Sequence, residues 1–181
     1  MQVGSEHTPL VILRGNSASG KTAVAQGIRS RFGRGIAIIG QDVIRRDILK
    51  ERDLPAGANI GLIDLTARYA LDYGFHVIVE GILDAGRYGA MLRKLIADHL
   101  GASRVYYFDV SFEVTLERHA TKPQAAEYGA PEMRQRFRPL VLLDIPDLPD
   151  SIIPESASLE RTISLVMHEA GFPVVDVAAG K

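Results

Sequence analysis

Short apolar runs recur along the chain, and longer segments of mixed polarity separate them. Each run has the length of a buried strand, whereas apolar residues in the intervening segments recur at helical spacing. This alternation predicts an α/β domain built on a five-stranded, mainly parallel sheet flanked by helices. The predicted strands cover residues 10–13, 36–39, 76–79, 105–108 and 151–153.

Glycines stand near the ends of several segments with helical periodicity, where a helix commonly terminates. They are Gly33, Gly74, Gly101 and Gly171. The predicted helices cover residues 21–32, 42–52, 60–73 and 87–100, one that begins near residue 112, and about 159–170. No composition shift divides the chain, so we expect a single domain over residues 1–181.

The segment from about residue 117 to 140 interrupts the alternation, since it has few aliphatic residues. It is basic, with Arg118, Lys122, Arg134, Arg136 and Arg138. A basic stretch with little to bury is cheap to open, so the pattern predicts a lid over a functional site. The alternative is a solvated surface helix over about residues 131–143.

Charge and composition narrow the classes of function. The 181 residues include Lys+Arg 21 and Asp+Glu 22, for a formal net charge of -1, and no cysteine. A near-neutral chain lacks the electrostatic footprint of general nucleic-acid or anionic-membrane binding, and the absence of cysteine excludes a disulfide scaffold or a thiol nucleophile. The sequence shows no signal-peptide pattern or membrane-length apolar run, which predicts a cytoplasmic protein without nucleic-acid or membrane partners.

One motif indicates specific chemistry. Residues 15–22, GNSASGKT, match the phosphate-loop pattern G-x-x-x-x-G-K-[ST], and they stand between a predicted strand and a predicted helix. Glycine lets successive backbone N–H groups surround an anion, and the start of the helix adds further donors. In this pattern Lys21 binds the β- and γ-phosphates of ATP, and the Thr22 hydroxyl binds Mg²⁺. The predicted nucleotide-binding residues are Gly15, Asn16, Ser17, Ala18, Ser19, Gly20, Lys21 and Thr22.

Two carboxylates follow neighbouring strands of the predicted sheet. Asp42 comes just after the second strand and Glu80 at the end of the third, so both are expected at the sheet edge where the phosphate loop lies. Asp42 is the candidate general base on an acceptor hydroxyl, or alternatively the N-cap of the next helix. Glu80 is a candidate Mg²⁺ ligand or acceptor contact, or alternatively a surface charge.

Basic residues complete the candidate site. A transferring phosphoryl group is stabilised by guanidinium groups, and lid closure keeps water from the reaction. Arg118, Arg134 and Arg138 are the predicted phosphate contacts, with Lys21, Asp42, Arg118 and Arg134 as catalytic residues. Asp42, Arg45, Glu80 and Arg87 are the predicted acceptor-binding residues.

These motifs resemble those of small P-loop kinases of the nucleoside and nucleotide kinase group, nearest to the chloramphenicol phosphotransferase and zeta-toxin branch. The resemblance rests on residues 15–22, Gln41 with Asp42, residues 80–83 and the segment from Arg118 to Arg138. It implies a P-loop NTPase fold with a five-stranded parallel sheet, ATP·Mg²⁺ as donor, Asp42 as base and lid arginines on the phosphates.

The sequence therefore favours an ATP-dependent kinase that phosphorylates a hydroxyl of a small molecule, such as an antibiotic, a nucleoside or a sugar-like compound. Two alternatives stay open at this point. One is a nucleoside or nucleoside monophosphate kinase, which needs arginines in the acceptor pocket. The other is a non-enzymatic ATP-binding switch.

Overall fold

Five parallel strands form one sheet in the computed structural model, which describes residues 2–120, 129–138 and 140–172. The strand order is β2-β3-β1-β4-β5. The sequence prediction of a five-stranded parallel sheet is therefore confirmed. The strands are β1 (Leu10–Gly15), β2 (Ile36–Gly40), β3 (His76–Glu80), β4 (Ser103–Asp109) and β5 (Ser151–Pro154).

β1 is the central strand, and all six of its residues are buried. It pairs with β3 on one side and with β4 on the other. Because side chains alternate along a strand, Leu10 and Ile12 enter one core layer while Val11 and Leu13 enter the other. Burial on both faces explains the uninterrupted apolar run.

The described part of the chain contains six α-helices, and four of them pack in the two core layers beside the sheet. Residues of α2 and α3 pack with Leu10 and Ile12, whereas residues of α1 and α6 pack with Val11 and Leu13. No helix among the described residues combines the length and apolar character needed to cross a membrane. The helices are α1 (Lys21–Phe32), α2 (Ala58–Asp72), α3 (Ala85–Asp98), α4 (Phe112–Ala120), α5 (Ala130–Arg136) and α6 (Leu159–Glu169).

The helix predicted over residues 42–52 is wrong in type and extent, because the chain forms a π-helix at Val43–Ile48. The N–H of Leu49 donates to the carbonyl of Ile44 at 3.1 Å, which is the five-residue spacing of a π-turn. Lys50 then has a φ of 51°, and this left-handed conformation ends the helix. The remaining residues up to Gly57 form a loop at the wall of the cleft described below.

The predicted lid is described only in part, since residues 121–128 and 139 lie outside the described residues. Beyond α4, the described part of the lid contains one helix, α5, which ends at Arg136. The alternative of a surface helix over residues 131–143 is therefore wrong in extent. Met133 is buried, whereas the other residues of α5 are exposed. The basic segment therefore combines a short solvated helix with one apolar anchor.

A buried ion pair joins the end of β1 to the segment that follows the lid. The Arg14 guanidinium lies 3.1 Å from the Asp150 carboxylate, and both side chains are 1% exposed. Arg14 also donates to the carbonyls of Leu83 and Val141 at 3.2 and 3.1 Å, while Asp150 accepts from the N–H of Leu143. Burial lowers the pKa of Arg14, and the charge of Asp150 opposes this shift.

Removing Arg14 should destabilise the fold strongly. The Arg14→Met variant leaves the Asp150 carboxylate buried and unpaired, so we expect its free energy of unfolding in urea to fall by about 3–5 kcal/mol. Arg31→Met is the matched control, because its partner Glu160 is 77% exposed. An exposed pair contributes at most about 1 kcal/mol. Equal losses in the two variants would contradict the structural role of Arg14.

Candidate active site

The candidate site lies where the carboxyl ends of β1, β2 and β3 meet. β1 leads into the phosphate loop, β2 leads to Asp42, and β3 ends at Glu80. The connection from β1 runs to β2 at one edge, and the connection from β3 runs to β4 across β1. Such a change of direction opens a crevice at the carboxyl ends of parallel strands, where ligands bind in open α/β sheets.

The phosphate loop needs glycine at its two motif positions. Gly15 has a φ of 135°, and a Cβ built on it would lie 2.7 Å from the carbonyl oxygen of Phe108. Gly20 has a φ of 109° and stands at the N-cap of α1, where no side chain caps the first turn. Backbone N–H groups at this helix start therefore have the arrangement that binds phosphate.

Lys21 is held inside the curve of this loop. Its ammonium donates to the backbone carbonyl of Asn16 at 2.7 Å and to the Ser19 hydroxyl at 3.0 Å. The side chain is buried, with 6% exposed. The loop thus concentrates a positive charge and the N-terminus of α1 at one point, which fits the charge of a nucleotide's phosphates.

The two predicted metal ligands are in direct contact. The Thr22 hydroxyl donates to the Glu80 carboxylate at 3.1 Å. Glu80 is half-buried at the end of β3, where its register partners are Leu13 of β1 and Gly40 of β2. A hydroxyl and a carboxylate beside a phosphate loop are the hard oxygen ligands that Mg²⁺ prefers, so these residues fit the predicted ion.

Asp42 lines the cleft and does not act as a helix cap. Its side chain makes no capping hydrogen bond, so that alternative is wrong. Its carboxylate instead accepts from the Arg45 guanidinium at 2.7 Å, and the Asp42 side chain is 67% exposed. An exposed pair of this kind holds the carboxylate in place at low cost and can exchange with a ligand.

The cleft in front of Asp42 has a volume of about 740 Å³. It brings together the predicted residues Asn16, Ser17, Asp42, Arg45, Arg87 and Arg138. Sequence analysis did not assign site roles to the other charged residues, although the charged run at residues 45–53 was a visible signal. The additional lining residues are Arg46, Arg52, Asp53, Leu54, Ile82, Asp84, Thr115, Glu132, Met133, Arg136 and Phe137.

Arg118 contacts the phosphate loop directly. It stands near the end of α4, and its guanidinium donates to the carbonyl of Ser19 at 3.1 Å. It also borders a second cavity of about 180 Å³, whose wall includes Val24, Phe108 and Pro154. An apolar cavity between the phosphate loop and a guanidinium has the character of a site for a planar nucleotide base.

The other two predicted lid arginines are placed differently. Arg134 stacks over the Phe112 ring at 4.1 Å and is not among the residues that line the cleft. The Arg138 guanidinium donates to the carbonyls of Gln135 and Phe137. The backbone of Arg138 pairs with the Asn16 side chain through two hydrogen bonds of 2.6 and 2.9 Å, which join the lid to the phosphate loop.

A buried tyrosine organises the wall of the cleft that follows β2. The Tyr88 hydroxyl accepts from the Gln41 amide at 2.8 Å and lies 2.7 Å from both Asp53 and Asn59. Burial and the neighbouring Asp53 carboxylate raise the pKa of Tyr88 well above its usual value. The Gln41 side chain also accepts from the N–H of Leu83 at 2.9 Å. The hydroxyl therefore joins the residue before Asp42 to the loop at Asp53 and to the start of α2 at Asn59.

The fold matches solved structures of P-loop kinases, although the sequence similarity is low. An APS kinase of Mycobacterium tuberculosis, solved with AMPPNP and APS, is 22% identical over 93% of this chain and 98% of that chain, with a TM-score of 0.67. A sugar kinase from Janibacter sp. is 18% identical over 96% and 99%, with a TM-score of 0.62. The tunicamycin resistance protein of Deinococcus radiodurans is 16% identical over 93% and 98%, with a TM-score of 0.61.

No protein-family model matches the chain, and no curated protein sequence matches it. The chain has the fold of the small P-loop kinases, which confirms the fold expected from the phosphate-loop motif. Its branch within that group stays a prediction.

Loss of the Tyr88 hydroxyl should loosen the acceptor wall without unfolding the core. In Tyr88→Phe we expect amide hydrogen exchange in residues 51–59 and 81–84 to become about tenfold faster, because a buried hydrogen-bonding centre is removed. Tyr106→Phe is the control, since its hydroxyl donates to Glu169 on α6. Acceleration of the same peptides in both variants would argue against a local role for Tyr88.

Proposed function

We propose that the chain is an ATP-dependent phosphotransferase that moves the γ-phosphoryl group of ATP to a hydroxyl of a small molecule. The observation that carries the proposal is the convergence of three features at one sheet edge: the phosphate loop, the contact between Thr22 and Glu80, and Asp42 at a cleft of about 740 Å³. A nucleotide-binding switch needs the first two features, but it does not need a carboxylate at a large cleft beside the nucleotide site.

The donor nucleotide is assigned to the phosphate loop and the smaller cavity. Lys21 and the N-terminus of α1 would hold the β- and γ-phosphates, and Thr22 with Glu80 would hold Mg²⁺. When bound, the ion neutralises phosphate charge. The purine or pyrimidine base of the nucleotide would enter the smaller cavity beside Arg118, where Val24 and Pro154 supply apolar contacts. The solved APS kinase neighbour was crystallised with AMPPNP, which supports a nucleotide donor for this fold.

Asp42 would act on the acceptor. Its carboxylate takes the proton of the acceptor hydroxyl as the oxygen bonds to the γ-phosphorus. The bond between the γ-phosphorus and the bridging oxygen breaks, and ADP leaves with the electron pair of that bond. Arg45 holds Asp42 in the cleft before the acceptor arrives.

Positive groups would stabilise the charge that is spread over the transferring group. Arg118 already contacts the phosphate loop, so it is the first candidate for this role. In this structure the Arg134 guanidinium stacks on Phe112, and the Arg138 guanidinium donates to two backbone carbonyls. Either side chain would therefore change rotamer to contact a phosphate when nucleotide binds. The lid segment would then exclude water from the transferring group.

The primary test is ADP release from ATP and Mg²⁺ in the presence of hydroxyl compounds. We expect one acceptor class to stimulate release and to gain the mass of one phosphate. The panel contains antibiotics, nucleosides, nucleoside monophosphates, sugars and sugar acids. ATP binding with uniformly slow hydrolysis across this panel would favour the switch instead.

Substitution of Lys21 tests the donor site. We expect Lys21→Ala to reduce the acceptor-stimulated release of ADP by at least about 100-fold, because a charge directed at the phosphates is lost. Lys94→Ala is the control, because the Lys94 side chain is 68% exposed on α3 and lines neither cavity. More than a few per cent residual activity in Lys21→Ala would contradict its role.

Substitution of Asp42 separates proton transfer from nucleotide binding. We expect Asp42→Asn to lower kcat by about 100-fold or more while the Kd for ATP stays unchanged, as for the loss of a general base. Asp47→Asn is the matched control on the same π-helix, since Asp47 is exposed and does not line the cleft. Normal turnover by Asp42→Asn would remove Asp42 from the mechanism.

A further inference from the structure

Positive charge is concentrated in the acceptor cleft. Among the described residues, six arginines and four carboxylates line it, although the whole chain has a formal net charge of -1. Two of these arginines belong to the lid segment, and the other four line the same cleft as Asp42. We call these four the acceptor arginines: Arg45, Arg46, Arg52 and Arg87. Arg45 pairs with Asp42 and Arg87 pairs with Asp53, but a hydroxyl acceptor without charge does not account for the further positive charge of Arg46 and Arg52.

The local structure presents these arginines together. Arg45 and Arg46 are adjacent on the π-helix, and Arg52 follows in the loop that ends at Gly57. Arg87 stands in the first turn of α3 and is tied to that loop through the carbonyl and carboxylate of Asp53, at 2.9 and 2.7 Å. The Tyr88 hydroxyl contacts the same Asp53. The arginines therefore lie on a wall that is already organised.

Three of the acceptor arginines, Arg45, Arg52 and Arg87, keep donor capacity for a ligand. A guanidinium carries five N–H donors, and Arg87 uses one nitrogen on Asp53. Arg45 uses one nitrogen on Asp42, and its buried Nε has no hydrogen-bond partner among the described residues. Arg52 is exposed at the cleft and makes no recorded ion pair with the described residues. Planar forks of this kind match the oxygens of phosphate, sulfate or carboxylate.

We propose that the acceptor is an anionic hydroxyl compound, whose phosphate, sulfate or carboxylate group is bound by the acceptor arginines while its hydroxyl faces Asp42. Apolar side chains of Leu54, Ile82 and Phe137 leave room for an organic body between the two groups. This inference rests on the proposed kinase function and narrows its acceptor class. The sequence analysis assigned only Arg45 and Arg87 to the acceptor, and only its nucleoside monophosphate kinase alternative required arginines in the acceptor pocket.

Matched acceptor pairs test the charge requirement. ADP release is compared for glucose and gluconate, for sugars and their phosphates, and for nucleosides and their 5′-monophosphates. We expect the anionic member of the productive pair to have a kcat/KM at least about tenfold higher than the neutral member, in line with a charge-assisted contact. A neutral member used equally well would overturn the anionic subsite and leave the kinase function intact.

Charge removal on the wall tests the assigned residues. The double variant Arg46→Gln/Arg52→Gln avoids Arg45, which holds Asp42. We expect it to raise the KM for the anionic acceptor at least about tenfold, with little change in the KM for ATP. Arg34→Gln is the matched control, because Arg34 is exposed in the turn between α1 and β2 and lines neither cavity. An unchanged acceptor KM in the double variant would overturn the assignment.

A binding measurement tests whether the acceptor arginines bind an anion, even if no compound in the panel is phosphorylated. The protein is loaded with AMPPNP and Mg²⁺, which occupies the phosphate loop, and is titrated with sulfate at constant ionic strength. We expect sulfate to raise the midpoint of thermal unfolding through a site that is weakened at least about tenfold in the double variant and unchanged in Arg34→Gln. Equal sulfate affinity in all three proteins overturns the proposal, whereas failure of AMPPNP to bind contradicts the donor site instead.

Discussion

The buried ion pair between Arg14 and Asp150 determines how the working parts of the site meet. Arg14 is the residue before Gly15, so its position sets the start of the phosphate loop. Its guanidinium also holds the turn after β3, through Leu83, and the segment after the lid, through Val141. A charged pair in a core is tolerated only when its donors and acceptors are satisfied, which constrains all three segments together.

A second set of contacts, around Tyr88, organises one wall of the cleft. The Tyr88 hydroxyl joins Gln41, which follows β2, to Asp53 in the loop before α2 and to Asn59 in the first turn of α2. The Glu51 carboxylate closes the same loop by accepting from the Asn59 side-chain amide and from the backbone N–H groups of Asn59 and Ala58, and these bonds lower the pKa of Glu51. A preorganised wall reduces the conformational cost of binding an acceptor.

The fold by itself does not identify an acceptor. The solved neighbours include an APS kinase, a sugar kinase and a tunicamycin resistance protein, whose names indicate different chemistry on one architecture. In this chain the phosphate loop, Asp42 and Glu80 lie at the carboxyl ends of the strands, whereas the proposed acceptor arginines lie on the connections between strands. In the proposed function, these connections would therefore select the acceptor.

Apolar periodicity and a contiguous motif predicted the sheet, most of the helices and the phosphate loop, because both signals depend on neighbouring residues. The sequence by itself also placed Asp42 and Glu80 at the same sheet edge, since the ends of parallel strands converge. It missed the π-helix because the pattern of residues 42–52 is compatible with an ordinary helix, and only the positive φ of Lys50 ends it early. Tertiary structure alone decided the pairing of Arg14 with Asp150 and of Arg87 with Asp53, as well as the position of Arg134 over Phe112. Such contacts join residues far apart in the chain, and no local pattern of polarity records them.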